Sequence, residues 1–483
     1  MIEWTASHLL LAGSALAVVA ASVAVVHALL FKSEVRSAIA WVGLIILVPV
    51  IGSILYYFIG INRIRRRAVA LRREAEEANE DRWPGGSLIP GDIASLLDAD
   101  DEAVELAHLI GNVTSRTLLG GNRVEPLING DQAYPAMLDA IGKAETSVVL
   151  LTYIFDHDSA GKLFLEALKA ATARGVEVRV LIDHVGSRYS RPPVSRLLKR
   201  SGVPVATFLP TFSTRVPSFN LRNHRKVMVV DGRIGFTGGM NIRQDFLLSN
   251  GPKHPGMDLH FRVEGPVVTH LRDAFAEDWE FTTGESLDGA KWNPDLEPAG
   301  NTIARGILDG PDADLDVLNF TLMGAIACAE RSIRIITPYF LPDQPLVYAL
   351  NTAALSGLDV DVVIPEKGNL NLVTWAMWGQ IAQVLGHGVR VWLSPETPFD
   401  HSKLMVVDDY WVLFGSTNWD PRSLRLNFEF NVECYDRELA KRMRELVKER
   451  IHQARRLKRK EVESRSLPLR LRDGAARLLT PYL

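Results

Sequence analysis

One 18-residue pattern occurs twice in this chain of 483 residues, and it constrains the fold more than any other feature. The pattern is His, any residue, Lys, four residues, Asp, six residues, Gly, two residues, Asn. It occupies residues 224–241 and again residues 401–418. The apolar runs inside the two copies, Val227–Val230 and Leu404–Val407, are short and rich in residues that favour strands. Each copy therefore predicts a buried strand with His and Lys at its start.

Residues two apart in an extended strand point to the same face. His224 with Lys226, and His401 with Lys403, therefore predict two imidazoles and two ammonium groups that meet across a pseudo-twofold axis. One copy alone is a weak signal, because His and Lys often fall two apart on a solvated strand. A purely structural strand has no need for the same five residue types twice. The duplication favours a functional site, and its positive charge suits a phosphate.

The residue types indicate a phosphodiester chemistry. The lysines would donate N–H groups to the non-bridging oxygens, and Asn241 and Asn418 would add amide donors. Neutral imidazole is a competent nucleophile near neutral pH. One histidine would attack phosphorus, while the other protonates the leaving alcohol and later deprotonates the acceptor. The His, Cys and Asp residues have no metal-ligand spacing, so neither a metal nor another cofactor is expected.

The duplicated pattern resembles the HKD motif of the phospholipase D superfamily. The resemblance implies His224 as the nucleophile and His401 as the general acid/base, with the reverse assignment also open. It also implies that the carboxylates of Glu429 and Asp258 orient the two histidines through hydrogen bonds.

Three further side chains belong to the predicted site. Asp231 and Asp408 complete the two triplets and are assigned to the catalytic set. As residues that directly follow a strand, they can equally shape the turn. Ser416 is assigned to phosphate binding, although the first copy has Gly239 at the equivalent position.

The first 75 residues are far more apolar than the rest. Residues 9–30 and 38–59 are two runs of 22 residues without Lys, Arg, Asp or Glu, each sufficient to cross ~30 Å of hydrocarbon as a helix. They predict a two-helix transmembrane hairpin. Six arginines between residues 63 and 73 outnumber the basic residues of the turn at 31–36, which predicts a cytoplasmic catalytic region. The stretch 37–63 resembles the membrane segment of bacterial cardiolipin synthases.

Strand and helix patterns alternate after residue 123, and they do so twice. The sequence predicts an α/β fold: a tandem pair of phospholipase D-type domains with pseudo-twofold symmetry, preceded by the hairpin. The expected divisions are the membrane segment with its basic flank at 1–75, a connector at 76–123, a first domain at 124–295 and a second at 296–483. Local phrases such as LTYIFD at 151–156 and ITPYFLPD at 336–343 also resemble the cardiolipin synthase pattern.

Composition excludes some classes of partner and compartment. A net charge of −3 and a pI near 6.5 provide no overall attraction for nucleic acid. The two cysteines, Cys328 and Cys434, form neither a CxxC pair nor a disulfide framework, which favours a reducing compartment.

Two regions of the second half have two interpretations each. The basic and apolar residues at 441–460 and 467–479 predict either solvated terminal helices or helices lying on an anionic bilayer. Trp375 and Trp378 either pack in the core or line a lipid cleft.

The resemblance implies a cardiolipin synthase of the bacterial inner membrane. Such an enzyme transfers a phosphatidyl group from one phosphatidylglycerol to another through a phosphohistidine and releases glycerol. Its expected partners are phosphatidylglycerol and cardiolipin in an anionic membrane, and no nucleic acid. The alternatives are a phospholipase D hydrolase, a transferase that uses phosphatidylethanolamine as donor, and a non-catalytic membrane scaffold. The intact His and Lys residues of both copies argue against the scaffold.

Overall fold

The computed structural model describes residues 2–32, 35–60, 97, 101–114, 116–209, 221–311 and 316–480. The described residues fall into two units, one containing residues 2–60 and the other residues 97–480. The arginine cluster predicted at 63–73 and the first part of the connector predicted at 76–123 lie outside the described residues.

The N-terminal unit is helical. It contains α1 (Ile2–Phe31), α2 (Val35–Leu47), α3 (Pro49–Leu55) and a π-helical turn (Tyr56–Gly60). Within α1, the 21 residues Leu11–Phe31 are long and apolar enough to cross a membrane. The second predicted span is not one continuous helix. It is interrupted at Val48 (φ −136°, ψ 74°), because Pro49 disfavours helical backbone at the residue before it.

A small core joins the helices of this unit. Its buried members are Ala28 of α1, Trp41 and Ile45 of α2, and Tyr56. The Tyr56 hydroxyl lies 2.8 Å from Nδ1 of His27, the most polar residue of the first predicted span. The apolar segments therefore pack against each other, and their one imidazole has a hydrogen-bonding partner.

The second unit begins with α4 (Asp101–Val113) and contains two successive α/β halves. The elements of the first half are β1 (Leu119–Ile128), α5 (Asn129–Lys143), β2 (Ser147–Thr152), α6 (Ser159–Ala173), β3 (Glu177–Asp183), α7 (Val194–Arg200), β4 (Val205–Phe208), β5 (Arg222–Asn223), β6 (Val227–Val230), β7 (Ile234–Gly238), β8 (Gly256–Met257), β9 (Leu259–Glu264) and α8 (Val268–Thr283).

The elements of the second half are β10 (Thr302–Asp309), α9 (Val317–Ala327), β11 (Ser332–Ile336), α10 (Gln344–Leu355), β12 (Asp359–Pro365), α11 (Asn371–Gln380), β13 (Arg390–Ser394), β14 (Phe399–Asp400), β15 (Leu404–Val407), β16 (Trp411–Gly415), α12 (Pro421–Arg425), β17 (Asn427–Tyr435), α13 (Arg437–Gln453), β18 (Arg455–Arg456), α14 (Arg459–Glu463) and α15 (Leu467–Leu478). Strand β1 begins at Leu119, before the expected domain start at residue 124.

One 16-stranded sheet spans both halves. The first half contributes the order β4-β3-β2-β6-β7-β9-β1, and the second continues as β10-β17-β16-β15-β11-β12-β13-β18. The sixteenth strand, β5, lies off this order and pairs with β17. Outward from the antiparallel β1–β10 junction, the two halves repeat the same order. The prediction of two α/β halves related by pseudo-twofold symmetry is therefore confirmed.

The motif strands β6 and β15 are apolar throughout because both faces of the sheet are covered. In β2, Val148 and Leu150 pack in the cluster that includes α5 and α6. On the opposite face the backbone of Gly235 in β7 lies close to α8, where an added Cβ would come within 2.7 Å of the Leu271 side chain. The period of two along each strand thus divides the core between the two faces.

Two short parallel pairings link the halves across the pseudo-twofold axis. Strand β5 pairs with the start of β17, and β14 pairs with β8. In each pairing, the segment that leads into one motif histidine lies beside the segment that leads into a carboxylate of the other half. These pairings position the candidate site.

Candidate active site

The first motif histidine is held by the second half of the molecule. The His224 backbone N–H donates to the carbonyl oxygen of Phe428 at 2.9 Å. Its ring Nδ1 lies 3.0 Å from both carboxylate oxygens of Glu429. An Nδ1–H that donates to a carboxylate leaves Nε2 with its lone pair, which is the form required of a nucleophile or base.

The second motif histidine repeats this arrangement in the opposite direction. The His401 backbone N–H donates to the carbonyl oxygen of Met257 at 2.7 Å, and its Nδ1 lies 2.7 Å from Oδ2 of Asp258. Each half therefore supplies the carboxylate that contacts the histidine of the other half. The structure brings together the four side chains that the sequence analysis paired by resemblance.

Glu429 is fully buried and surrounded by donors. Besides His224, it accepts hydrogen bonds from Ser416 Oγ at 2.5 Å and from Asn427 Nδ2 at 3.0 Å. Burial alone would raise the pKa of Glu429, but the neighbouring His224, Lys226 and Ser416 lower it below its usual value. The carboxylate beside His224 is consequently held in its charged form.

Asp258 is equally buried but has fewer donors. It accepts from His401 and from the backbone N–H of Leu259 at 2.7 Å. Burial raises the pKa of Asp258 to about 7, although Lys403 opposes the shift. Asp258 has no hydroxyl neighbour equivalent to Ser416, whose counterpart is Gly239. A serine does not fit there, because a Cβ on Gly239 would lie 2.3 Å from Oδ1 of Asp258. The carboxylate beside His401 exchanges its proton near neutral pH.

The two motif lysines lie beside the histidines and are buried. Lys226 Nζ donates to the His224 carbonyl oxygen, and Lys403 Nζ lies 3.2 Å from Nε2 of His401. Burial lowers the pKa of Lys226 to about 7 and that of Lys403 to about 8. Burial, together with the nearby lysines, also lowers the pKa of both histidines, to about 4 for His224.

These shifts describe a buried site that resists additional positive charge. Lys403 adds to the lowering of the Lys226 pKa, because the two ammonium groups repel. An anion bound between them would reverse this effect and favour their charged forms. The electrostatics therefore suit a ligand with a negative charge, as the sequence predicts.

The side chains of the two motif asparagines make different hydrogen bonds in the two halves. Asn241 Oδ1 accepts from the backbone N–H of Ile154 at 3.1 Å, whereas Asn418 Nδ2 donates to Ser423 Oγ at 3.2 Å. Their assignment to phosphate binding stays a prediction.

Ser416 has a different contact from the one predicted. Its hydroxyl donates to Glu429 and accepts from the backbone N–H of Phe430 at 2.9 Å, and the residue is fully buried. Its assignment to direct phosphate binding stays a prediction. Its hydroxyl acts on the site through the Glu429 carboxylate.

Asp231 and Asp408 lie at the far ends of β6 and β15 from the histidines, roughly 20 Å along an extended chain. Both adopt a left-handed backbone, with φ of 53° and 50°. Asp231 accepts backbone N–H bonds from residues 145–147, and Asp408 accepts them from residues 330–332. These bonds hold the turns that precede β2 and β11. The assignment of both aspartates to the catalytic set stays a prediction.

Two side chains beside His224 are absent from the sequence prediction. Asn427 bonds Glu429 from two residues earlier in β17, and the period of two in that strand is a signal that places both on one face. The Tyr153 ring packs edge-on against the His224 ring, with centroids 5.2 Å apart. Its signal is the antiparallel β2–β6 pairing, which brings the end of β2 beside the start of the motif strand.

Comparison with known proteins identifies the family. The family model described as "Cardiolipin synthase, PLD-like domain" matches residues 137–279 and 322–451. The major cardiolipin synthase of Bacillus subtilis is 32% identical over 467 residues, covering 94% of this chain and 95% of that protein. The chain belongs to the cardiolipin synthase family of the phospholipase D superfamily. The family predicted from the duplicated motif is confirmed, and so is the prediction of a phosphatidyltransferase enzyme.

Further matches extend the relationship to both ends of the chain. "Cardiolipin synthase A" of Pseudomonas putida strain KT2440 is 31% identical, covering 95% of this chain and 95% of its own length. The model "Phospholipase_D-nuclease N-terminal" matches residues 19–60. The crystal structure of the phosphatidylserine synthase of Haemophilus influenzae covers 78% of this chain and all of its own chain, with a TM-score of 0.59 at 16% identity. That likeness supports the fold alone.

Proposed function

We propose that the chain is a membrane-associated cardiolipin synthase that joins two phosphatidylglycerol molecules and releases glycerol. The family relationship supports the reaction class, and the relatives' names supply the product. A phosphodiester as the transferred group is supported by the paired histidines and the two buried lysines. A bound anion would raise the lowered pKa values of both lysines.

The first step is attack by His224 on the donor. Its Nε2 forms a bond to phosphorus while the bond from phosphorus to the glycerol headgroup oxygen breaks. His401 gives that oxygen a proton, so glycerol leaves as a neutral alcohol. The two lysines neutralise the non-bridging oxygens. Because the bound phosphodiester raises the pKa of His401 above its value in the empty site, the histidine can carry this proton.

The second step resolves the phosphohistidine. A glycerol hydroxyl of a second phosphatidylglycerol enters in place of the departed glycerol and gives its proton to His401. Its oxygen attacks phosphorus, the bond from phosphorus to His224 breaks, and cardiolipin forms. The proton returns to His401, so the enzyme is unchanged after one turnover.

The observation that carries the assignment of roles is the difference between the two carboxylates. His224 becomes positively charged when its Nε2 bonds phosphorus, and the permanently charged Glu429 stabilises that charge. His401 must take up and release a proton. Asp258 has a pKa of about 7, so it can share a proton with His401. Two carboxylates with separated pKa values mark the two roles.

The test uses purified full-length protein in phosphatidylglycerol vesicles, with the lipid products resolved by mass spectrometry. Cardiolipin and glycerol in equal amounts are expected. Phosphatidic acid as the main product would instead indicate that water resolves the intermediate. Absence of turnover by folded protein would contradict the assignment as an enzyme acting on this lipid. Vesicles that also contain labelled phosphatidylethanolamine identify the donor.

We further propose that the catalytic unit faces the cytoplasm. The support is the charge distribution of the sequence, with six arginines between residues 63 and 73 after the second apolar run. A reporter fused after Leu483 is expected to be cytoplasmic, and one inserted in the turn at 32–34 is expected outside. An external C-terminus would contradict this orientation and leave the reaction untouched.

A further inference from the structure

The last two long helices of the chain differ in where their apolar residues lie. Helix α13 buries Leu439, Met443 and Leu446 in the protein. Helix α15 instead exposes Leu467 (66%), Leu471 (65%) and Leu478 (80%). The spacing of four and seven residues places these leucines on one side of the helix. The sequence predicted two helices that could lie on a bilayer, at 441–460 and 467–479. Of these two, only α15 exposes an apolar stripe.

The opposite side of α15 packs against α11. Asp473 is 2% exposed and pairs with Arg465 at 2.8 Å and Arg472 at 2.7 Å. The Arg472 guanidinium stacks 4.6 Å from the Trp375 ring centroid, and that of Arg465 lies 4.4 Å from the Trp378 centroid. Both tryptophans are half-buried under these arginines, and both pack against the core. The apolar stripe is consequently held in a fixed, outward orientation.

Helices α11 and α15 pack closely against each other. Trp375 meets Arg472, and one turn later Gly379 meets Asp473 and Arg477. Contact at Gly379 is so close that an added Cβ would lie 2.7 Å from the Asp473 carbonyl oxygen. The close contact fixes the two helices to each other, so their exposed leucines belong to one packed pair of helices.

The segment that leads into α11 is linked to the active site by hydrogen bonds. Asn369, two residues before α11, accepts a hydrogen bond from the Tyr339 hydroxyl at 2.6 Å. Two residues before Tyr339, the Thr337 hydroxyl accepts from the backbone N–H of Trp419 at 3.3 Å, directly after the motif residue Asn418. We define the α11–α15 face as the exposed residues Leu370, Leu372, Leu467, Leu471 and Leu478.

The chain segment that carries α15 is basic. Residues 454–479 contain nine Lys or Arg and three Asp or Glu, whereas the whole chain has a net charge of −3. Basic residues beside exposed leucines match the chemistry of an anionic lipid surface, where headgroups attract the charges and acyl chains accept the apolar side chains. Helix α1, with its apolar stretch of 21 residues, gives the same chain a second membrane-seeking element.

We propose that the α11–α15 face docks on the surface of an anionic phospholipid bilayer. Its leucines enter the boundary between headgroups and acyl chains, to a depth of about 5–10 Å. Docking there holds the mouth of the active site at the level of the lipid phosphodiesters, so substrate reaches His224 and His401 without leaving the bilayer. The surface is separate from the residues that carry out the reaction.

The test is the lipid contact of one position in the full-length chain. Leu471→Cys is made with Cys328→Ser, leaving only the fully buried Cys434, and is labelled with a polarity-sensitive fluorophore. The protein is placed in phosphatidylcholine bilayers with or without phosphatidylglycerol and with spin-labelled lipid as quencher. Glu449→Cys, on the exposed side of α13, is the matched control.

The expected result is blue-shifted emission and quenching by spin-labelled lipid at position 471. Both should be stronger with phosphatidylglycerol present, and the label at position 449 should remain in water. Water-like emission at position 471 in both bilayers would overturn the proposal. A blue shift without lipid quenching would also overturn it, since protein, from the same chain or a second copy, would then cover the face.

A second measurement separates this proposal from the proposed reaction. Leu467→Asp with Leu471→Asp is expected to lose most turnover of bilayer phosphatidylglycerol and to keep turnover of a short-chain, water-soluble form. Equal turnover of bilayer lipid by this variant and the unmodified protein would contradict docking. Failure of the unmodified protein on both lipids would count against the reaction and not against the surface.

Discussion

The two halves of the catalytic unit share one strand order but hold their histidines in different electrostatic settings. In one setting, Glu429 receives hydrogen bonds from three side chains and is charged. In the other, Asp258 receives one bond from a side chain and one from the backbone, and its pKa is about 7. The shared frame sets where the reacting groups meet, and a few differing neighbours give them separate tasks.

Neutralising each carboxylate in turn gives the largest expected contrast. Glu429→Gln removes the charge that we propose stabilises a His224 adduct, and a loss in kcat of about 10³- to 10⁴-fold is expected. Asp258→Asn resembles the protonated form that Asp258 already adopts near pH 7, so the expected loss is about 10- to 100-fold. Steady-state rates on phosphatidylglycerol vesicles measure both. Equal losses, or a larger one for Asp258→Asn, would reverse the comparison.

Substituting the residue that packs against each carboxylate, Ser416 beside Glu429 and Gly239 beside Asp258, sharpens the contrast. Ser416→Ala removes one hydrogen bond to a charged group, and about a tenfold loss in kcat is expected. Gly239→Ser is expected to cost at least as much, because its Cβ would lie 2.3 Å from Asp258 Oδ1 and displace that carboxylate from His401. Thermal unfolding of both variants checks that the fold is intact. Full activity of Gly239→Ser would refute the close packing at Asp258.

The two lysines are expected to set the alkaline limb of the pH profile. Burial lowers both pKa values, so the charged forms that bind phosphate are present at low pH and lost as the pH rises. Since Lys226 loses its proton near pH 7 and Lys403 near pH 8, kcat/KM should begin to fall near pH 7. Arginine keeps its charge throughout this range. Lys226→Arg should therefore move the limb to about pH 8, whereas Lys403→Arg should leave it near pH 7. A profile unchanged in both variants would show that neither lysine titrates there.

The two turn aspartates are expected to show the least difference between the halves. Asp231→Ala and Asp408→Ala each remove the acceptor of several backbone N–H groups, so a loss of about 1–3 kcal/mol in the free energy of unfolding is expected for each. Denaturant unfolding measures the stability. The activity of the folded fraction should stay close to that of the unmodified protein. A large loss of kcat in a fully folded variant would instead support their assignment to the catalytic set.

Sequence reasoning predicted the features that depend on repetition and period. The duplicated motif predicted the two related halves, and apolar runs predicted strands such as β2 and β6. The assignment of Glu429 and Asp258 as the carboxylates that orient the histidines came from resemblance. Their exchange between halves depends on the β5–β17 and β8–β14 pairings, which join segments about 200 and 140 residues apart and leave no local pattern.

Sequence reasoning is limited where a residue type fits more than one environment. An aspartate after a strand can bind substrate or cap a turn, and Asp231 and Asp408 do the second. A motif serine can meet a phosphate or a carboxylate, and Ser416 meets Glu429. The apolar run at 38–59 has the composition of one helix, but Pro49 divides it. Only the packed structure distinguishes these outcomes.

The most direct test of the division of roles is the position of the covalent adduct. With His401→Asn, a phosphatidyl donor that carries a good leaving group needs no general acid, so an adduct should form and persist because the base for its resolution is missing. Mass mapping of the digested protein is expected to place the phosphatidyl group on His224. With His224→Asn, no adduct is expected on any histidine. An adduct on His401 in the second variant would contradict the assigned roles, and no adduct in either variant of an active enzyme would contradict covalent catalysis.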